Sequence, residues 1–307
     1  METVICNLCG SSHSSILFEI GDFWLERVHE CFTYVRCNKC GLVYQNPRPN
    51  SIEIVAYYPQ EYEVFQSNRH AKYRFLLNYG MHRRSRFITR HKSFGKLLDV
   101  GCANGSFLHW MKQYDYWDLY GIEPNQESAE SARKHGIQVA TGTLEQVAYP
   151  PAFFDVLTLW DVVEHLHDPL NTLRELNRII KPDGVLVMRF PNLDSLDARL
   201  FGKYWAGFDA PRHLYVFDNH SMEEMLRLAG FSIFEKSTQV GGYLNFVKSI
   251  RFALTGNKIS STIRTPIIRL LSSLPVRIAF SPLFFLKDSG LRGSELIIVA
   301  KREVELA

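Results

Sequence analysis

Four of the six cysteines form two closely spaced pairs. Cys6 and Cys9 make the first pair, Cys37 and Cys40 make the second, and a glycine follows each. Two-residue spacing lets both thiolates of a pair face one ion, while the glycine allows a tight turn. Four thiolates leave no open position, which predicts a structural zinc ribbon over residues 1–46. A disulfide pair or free thiols is the alternative, and the lack of an export signal argues against disulfides.

Two cysteines stand outside these pairs, Cys31 and Cys102. Cys31 falls inside the predicted ribbon and is an alternative ligand, but its spacing fits neither pair. We expect it to be a small buried residue, as unpaired cysteines commonly are.

A loop with two glycines follows a short apolar run. Residues 97–100 are apolar except for Asp99, Gly101 and Gly105 come next, and an apolar helix pattern starts at Phe107. This order is typical of a strand, a tight turn and a helix. The glycines let the backbone approach a ligand closely, and the start of the helix offers unpaired N–H groups. The loop therefore predicts a nucleotide-like ligand at the end of this strand.

Further segments downstream strengthen this interpretation. Glu123 ends a second strand pattern, where a carboxylate typically accepts hydrogen bonds from ribose hydroxyls. A third strand pattern leads to Thr143 and Leu144, and a fourth ends at Asp161. An amphipathic helix over 170–180 and later strand patterns continue the alternation. The predicted fold is α/β, with a seven-stranded, mostly parallel, doubly wound sheet.

Residues 96 to about 193 resemble the class I S-adenosylmethionine-dependent methyltransferases. Residues 97–105 resemble the first motif of that family, Glu123 its ribose-binding acid, and residues 154–169 its fourth-strand motif. The chain departs from the family at Ala103, where a second glycine is usual. Because alanine is small, we expect weaker cofactor binding there rather than none.

The resemblance implies S-adenosylmethionine as the cofactor and a role for each matching position. Two glycines would flank its methionine part, Glu123 would hold the ribose, and the loop at Thr143 would line the adenine. The positions carried over are Asp99, Gly101, Gly105, Glu123, Thr143, Leu144 and Asp161, with Trp160 beside Asp161 at the pocket floor. For Asp99 and Asp161 the alternative is a carboxylate that only caps a turn or a strand end. A dehydrogenase is disfavoured because its three-glycine spacing does not fit this loop.

Methyl transfer to a hydroxyl or a carbon acid requires a base besides correct positioning. The segment 203–217 is dense in aromatic and charged residues, and class I enzymes commonly place acceptor contacts after the fifth strand. His213 is our first candidate for the base, with Tyr204 or Tyr215 as acceptor contacts. His165 is a further catalytic candidate, and helix capping with packing is its alternative.

A cysteine ribbon before such a core, with a histidine in this later loop, is similar to the zinc-containing sugar C-methyltransferases. That family has a Glu-His pair where this chain has Arg212 and His213. The departure puts carbon methylation in doubt and leaves O- or N-methylation open. The resemblance implies a sugar, small or linked to a carrier, as the acceptor. A structural ion pair between Asp209 and Arg212 is the alternative for this loop.

Two other functions compete with this one. An RNA methyltransferase is supported by the basic segment 69–92, whose cations and neighbouring aromatics suit phosphates and bases. Retained RNA would identify it, and nucleic acid is the less favoured partner. A non-catalytic scaffold ranks last, because the cofactor positions are present.

Length and composition limit the classes that remain. The 307 residues are 46% hydrophobic and 22% charged, enough for a large core with a small satellite domain. This composition excludes disorder as the main state. A formal charge of +3 does not by itself indicate a nucleic-acid binder. Without an export signal or an apolar run of about 18 residues, we expect a cytoplasmic protein.

The patterns divide the chain into three parts. Residues 1–46 are the zinc ribbon, residues 47–95 a helical, basic linker region, and residues 96–307 the methyltransferase domain. The linker region has no acid between residues 69 and 92, which suits a pyrophosphate or another anionic carrier, or a solvated basic helix face.

The methyltransferase domain carries a basic, apolar insertion at about 246–290. Residues 246–287 contain no acid, and Pro266, Pro275 and Pro282 are expected to divide the apolar clusters into short pieces. Short basic and apolar helices suit an anionic membrane surface, which would place the protein at the inner face of the membrane. A lid or a dimer surface packed on the core is the alternative.

Overall fold

The computed structural model describes residues 1–58, 74–238, 242–288 and 290–303. Parts of the predicted linker, including Tyr62, Phe65, Arg69 and Lys72, lie outside the described residues. A short 3-10 turn, Glu53–Tyr57, precedes this gap.

The larger sheet has seven strands and is built as predicted. Its order is β10-β11-β8-β7-β4-β5-β6, and all pairings are parallel except the two made by β11. The strands are β4 Gly95–Val100, β5 Trp117–Glu123, β6 Gln138–Thr141, β7 Phe154–Trp160, β8 Ile180–Pro191, β10 Phe231–Ser237 and β11 Glu295–Arg302. Strand β7 and the 184–190 part of β8 are almost entirely buried, as expected for central strands of a sheet with helices on both faces.

The helices follow the predicted alternation with strands. They are α1 Arg74–Thr89, α2 Ser106–Met111, α3 Gln126–Lys134, α4 Leu144–Val147, α5 Pro169–Ile179, α6 Leu196–Phe201, α7 Asn219–Leu228, α8 Gly242–Gly256, α9 Ser261–Leu271 and α10 Leu274–Lys287. Helix α5 begins where Asp168 accepts a hydrogen bond from the Asn171 N–H, and Pro169 suits its first position.

A smaller sheet joins the N-terminal segment to the methyltransferase core. Its antiparallel order is β1 Ser14–Asp22, β2 Arg27–Cys37, β3 Val43–Gln45 and β9 Tyr215–Val216. Since β9 belongs to the segment after β8, the ribbon and that segment share one sheet. They also share an apolar core, in which Phe32 of β2 packs with Trp205 and Phe208.

The insertion is helical, but its breaks are not where the prolines predicted. Pro266 lies inside α9 and Pro282 inside α10, while Pro275 occupies the first turn of α10. A proline in a first turn removes no intrahelical hydrogen bond, which explains Pro275, whereas α9 and α10 continue through Pro266 and Pro282 in their interiors. The bend between α9 and α10 instead falls at Ser272 and Ser273.

Among the described helices, none is both long and apolar enough to span a membrane alone. Helices α9 and α10 pass that test only as a pair, bent by 66° at their junction.

Candidate functional site

The four paired cysteines lie together at the end of the ribbon. Sγ of Cys6 is 3.4 Å from Sγ of Cys40, and Sγ of Cys9 is 3.5 Å from Sγ of Cys37. All four sulfur atoms lie within 4.8 Å of one another, which fits four soft ligands around one zinc ion.

The first cysteine knuckle is docked on the core. Asn7, between Cys6 and Cys9, accepts a hydrogen bond from the Leu170 N–H and donates one to Asp168, at the start of α5. The candidate zinc site therefore also orients the ribbon.

Cys31 is exposed, so the expectation that it is buried was wrong. It lies on β2 at a position whose side chain points away from the apolar face shared with the core. Cys102, which belongs to the glycine loop, is buried and its side chain packs beside Gly121.

The glycine loop has the backbone that the motif requires. Gly101 has φ 70°, Ala103 φ 48° and Gly105 φ 73°. A methyl group added to Gly105 would lie 2.7 Å from Cβ of Ala132 on α3, and one added to Gly101 would lie 2.7 Å from Val162. These close approaches hold the loop against its neighbours. Ala103 adopts the left-handed conformation that glycine tolerates best.

Two carboxylates lie at the base of this loop. Glu123 accepts hydrogen bonds from the Ala103 N–H at 2.9 Å and from the Asn125 N–H at 2.8 Å. Burial raises its pKa, and these two donors counteract the rise. Asp99 accepts a hydrogen bond from the Thr158 hydroxyl at 2.6 Å, and burial raises its pKa to about 7. Glu123 is thus fixed beside the loop with further lone pairs available for a ribose.

The predicted adenine loop begins α4. The Thr143 N–H donates to Gln146 at 2.8 Å, and Thr143 is exposed. Leu144 is buried in the core, and Gly142 N–H donates to the Glu123 carbonyl oxygen. The loop therefore lies beside the predicted ribose acid, with Thr143 on its outer side.

Asp161 belongs to a network of charged side chains. Arg189 makes two hydrogen bonds to its carboxylate, and Arg84 of α1 lies 3.8 Å from it. Arg189 also pairs with Glu295 at 3.2 Å. Against the effect of burial, the charge of Arg189 lowers the pKa of Asp161. The Arg84 guanidinium also lies 5.1 Å from the centre of the Trp160 ring, which puts a cation at the sheet edge near the glycine loop.

Two histidines stand side by side near this edge. The rings of His165 and His213 are 4.6 Å apart. Nδ1 of His165 is 2.8 Å from the Arg212 carbonyl oxygen, and Nδ1 of His213 is 2.9 Å from the Gly207 carbonyl oxygen. Because a carbonyl oxygen only accepts, both Nδ1 atoms carry the proton and both Nε2 atoms keep a lone pair. Burial lowers the pKa of both imidazoles, that of His165 to about 3, so both are neutral at pH 7.

Glu164 completes this cluster, and the sequence prediction missed it. Its carboxylate lies within 4.8 Å of the two imidazoles and is buried, with no hydrogen-bond partner among the described residues. Burial, followed by the charge of Asp161, raises its pKa well above the ordinary value. The Tyr58 hydroxyl is also present, 2.9 Å from Nδ1 of His165. The adjacency of Glu164 and His165 was the available signal.

The ribbon holds the segment that carries His213. Arg212 is fully buried and makes a two-pronged ion pair with Asp22 of β1, at 2.8 and 2.9 Å. It also donates to Asp209 at 2.7 Å. Gln45 of β3 donates to the His213 carbonyl oxygen at 2.7 Å. Where the sugar C-methyltransferases have a Glu, this chain therefore has a cation enclosed by two carboxylates.

The two candidate tyrosines are placed differently from His213. The Tyr215 hydroxyl accepts from Arg48 at 2.9 Å and donates to the His167 carbonyl oxygen at 3.3 Å, within the interface between ribbon and core. Tyr204 packs against Phe23 of the ribbon. Their role as acceptor contacts stays a prediction.

The basic helix α1 has acidic partners from other elements. On the helix, Arg84 contacts Asp161, and just after the helix Arg90 pairs with Glu235 and Lys92 with Asp183. Arg83 instead borders a cleft of about 320 Å³ together with Arg86 and Arg90. The cations of the basic segment 69–92 therefore do not all face one surface. Binding of a pyrophosphate or another anionic carrier by this segment stays a prediction.

The glycine loop with Glu123 beside it and the seven-stranded sheet are typical of the class I S-adenosylmethionine-dependent methyltransferases. The chain belongs to the family described as "Methyltransferase domain", whose sequence profile matches residues 65–236, more than half of its length. The match begins inside the region that the sequence analysis assigned to the linker.

Several curated relatives are ubiquinone biosynthesis O-methyltransferases. The chain is 34% identical over 99 residues to that of Aliivibrio fischeri strain MJ11, covering 30% of this chain and 42% of the relative. It is 36% identical over 105 residues to that of Actinobacillus pleuropneumoniae serotype 5b, covering 30% and 44%. The matched region thus spans less than half of these relatives.

A solved structure from Pyrococcus horikoshii OT3 has the same fold. It is 15% identical, has a TM-score of 0.52, and covers 81% of this chain and 99% of its own.

Proposed function

We propose that the protein transfers the methyl group of S-adenosylmethionine to an oxygen atom of a small or carrier-linked acceptor. The observation that carries the proposal is the pair of neutral imidazoles, each with Nδ1–H fixed on a carbonyl oxygen, beside the buried Glu164. A neutral imidazole whose Nε2 lone pair is available is suited to remove a hydroxyl proton.

The cofactor fits the residues at the glycine loop. Gly101 and Gly105 give the loop its left-handed turns, and Glu123 is held against the Ala103 N–H, where ribose hydroxyls can donate to it. Arg84 adds a positive charge near the loop, which suits the carboxylate of the methionine part. When bound, S-adenosylmethionine supplies an electrophilic methyl group on a sulfonium.

The chain contributes positioning and one proton transfer. Val162, two residues before Glu164, packs against Gly101, so the histidine cluster adjoins the cofactor loop. With the cofactor bound as methyl donor, Nε2 of His213 would take the proton of the acceptor hydroxyl and pass it on to solvent. Glu164 lies within 4.8 Å of the two imidazoles, where a positive charge on His213 would counteract the rise in its pKa.

Oxygen as the methylated atom is supported by the names of the matched relatives. It is also supported by Arg212, which stands where the sugar C-methyltransferases have a Glu and which is held there by ion pairs with Asp22 and Asp209. Two acceptor classes are candidates. One is a sugar, which the resemblance to the sugar methyltransferases implies, and the other is a phenol, which the ubiquinone biosynthesis relatives support.

We also propose that the four-cysteine cluster binds a structural zinc ion. The proposal is supported by the sulfur positions and by the soft character of four thiolates.

The test is a methyl-transfer assay with nucleotide-linked sugars, catechols and RNA as acceptors. We expect His213→Gln to lower kcat about 100-fold or more, as for the loss of a general base, while the Kd for S-adenosylmethionine is unchanged. His220→Gln is the matched control, because His220 is exposed on α7. Full activity of both His213→Gln and His165→Gln would overturn the assignment of the base, and transfer to RNA would replace the proposed acceptor class.

A further inference from the structure

Helices α9 and α10 present a large apolar surface to solvent. Six of their side chains are each between 57% and 69% exposed, namely Ile263, Leu270, Ile278, Leu283, Phe285 and Leu286. Single exposed apolar residues are ordinary, but six on two consecutive helices are more than isolated exposure and indicate an interaction surface. Phe284, by contrast, is buried against Tyr243 and Phe246 of α8, so the hairpin has one face on the protein and one face outward.

The charges of the insertion are sorted between these two faces. On the protein side, Arg264 pairs with Glu26 at 2.7 Å and Lys287 with Asp197 at 2.7 Å. Arg269 lies on α9 next to Leu270 and is exposed. Since residues 242–287 contain no acid, the outward face has Arg269 beside Leu270 and no carboxylate of its own. This combination is complementary to an anionic, amphipathic surface.

The geometry favours lying on a bilayer over crossing it. At about 1.5 Å per residue, neither helix reaches the roughly 30 Å of a hydrocarbon core. The 66° bend between them prevents one continuous span. Two short helices with outward apolar side chains instead suit the boundary between headgroups and acyl chains.

A second copy of the chain fits this surface less well. A two-fold interface would bring the same face of both copies together, and residues 242–287 of one copy offer no carboxylate to Arg269 of the other. Like charges brought together in an interface oppose association. An anionic lipid removes this repulsion.

We propose that the outward face of α9 and α10 docks on an anionic bilayer surface. The insertion leaves β10 and enters β11 at one edge of the sheet, and β10 runs parallel to β4. This is the edge that carries the glycine loop, so docking brings the methyl-transfer edge close to the membrane. Docking itself does not depend on the proposed acceptor.

The test measures flotation of the full-length, zinc-loaded protein with phosphatidylcholine vesicles, with and without phosphatidylglycerol. We expect binding only when the anionic lipid is present. The double variant Leu270→Glu/Ile278→Glu should lower the affinity at least about tenfold, because each substitution removes buried apolar area and adds a like charge to the lipid's. Arg269→Gln should weaken binding and reduce its sensitivity to salt.

The matched control is Ile52→Glu/Phe94→Glu, since these residues are 83% and 71% exposed outside the insertion. This control should bind vesicles like the wild type. Unchanged binding of S-adenosylmethionine by all variants verifies their fold without reference to methyl transfer. Absence of vesicle binding by the wild type, or equal binding by Leu270→Glu/Ile278→Glu, overturns the proposal. So does a dimer that Leu270→Glu dissociates in the absence of lipid.

Discussion

At the scale of single residues, Ala103 is where this chain departs most clearly from its family. Its φ of 48° lies in the left-handed region, which costs a residue with a Cβ atom about 1 kcal/mol. Ala103→Gly should therefore raise the free energy of unfolding, by less than about 1 kcal/mol because glycine also gains entropy in the unfolded chain. It should also tighten S-adenosylmethionine binding several-fold, as measured by calorimetric titration.

Ala152 provides a control for that prediction. Its φ of 49° is nearly the same, but it lies in the turn before β7 and away from the glycine loop. Ala152→Gly should change stability to a similar extent and leave cofactor affinity unchanged. Equal effects of the two substitutions on affinity would show that strain at residue 103 does not limit binding.

His165 predicts a dependence of stability on pH. Burial, and then the charge of His213, lower its pKa from 6.5 to about 3 in the folded protein. Between these values the unfolded chain binds a proton that the folded protein does not, so stability is complete above pH 6.5 and falls as the pH decreases. Urea unfolding at pH 7.0 and 5.5 should show a loss of up to about 1.4 kcal/mol per pH unit for this proton. The loss should be smaller in His165→Gln than in His220→Gln, and identical slopes would contradict the assignment.

Sequence reasoning at this scale found residues that belong to repeated motifs. Asp99, Gly101, Gly105 and Glu123 were identifiable because a tight turn and a strand end require particular residue types. Glu164 was missed although it stands next to His165, because adjacency in sequence does not show that a carboxylate is buried. Its importance follows from burial without a partner, which only the tertiary structure shows.

At the scale of elements, the ribbon positions the segment that carries His213, here called the histidine loop. Gln45 on β3 holds the carbonyl oxygen of His213, and β3 pairs with β9 directly after it. Removal of zinc should therefore lower kcat more than it lowers cofactor affinity, because the glycine loop and Glu123 follow strands of the larger sheet, which shares no strand with the smaller one. Elemental analysis should find about one zinc per chain.

Cys9→Ser is the corresponding variant, and Cys31→Ser is its control because Cys31 is exposed. Cys9→Ser should lose zinc, lower the melting temperature and reduce kcat, while Cys31→Ser should resemble the wild type. Full zinc content in Cys9→Ser would exclude the four-cysteine site. Unchanged kcat in the zinc-free protein would show that the ribbon does not position His213.

The strands of the large sheet were predictable because buried parallel strands are continuous apolar runs. The two-residue strand β9 was not, since its pairing with β3 joins segments far apart in sequence. The prolines of the insertion did not predict where its helices end. Pro275 lies in the first turn of α10, Pro266 and Pro282 lie inside helices, and the chain bends at Ser272 and Ser273 instead.

At the scale of the whole molecule, the buried pair of Asp22 and Arg212 should make ribbon and core unfold together. Both side chains are fully buried, one on β1 and one in the histidine loop. Arg212→Met leaves Asp22 and Asp209 without their cation, and breaking a buried pair in this way costs about 3–5 kcal/mol. Glu224→Ala is the control, because its pair with Arg227 is exposed and exposed ion pairs contribute little to stability. Calorimetry should show one transition in the wild type and in Glu224→Ala, and a clearly lower melting temperature in Arg212→Met. A separate low-temperature transition of the ribbon in the wild type would mean that the shared sheet and the ion pair do not couple the two parts.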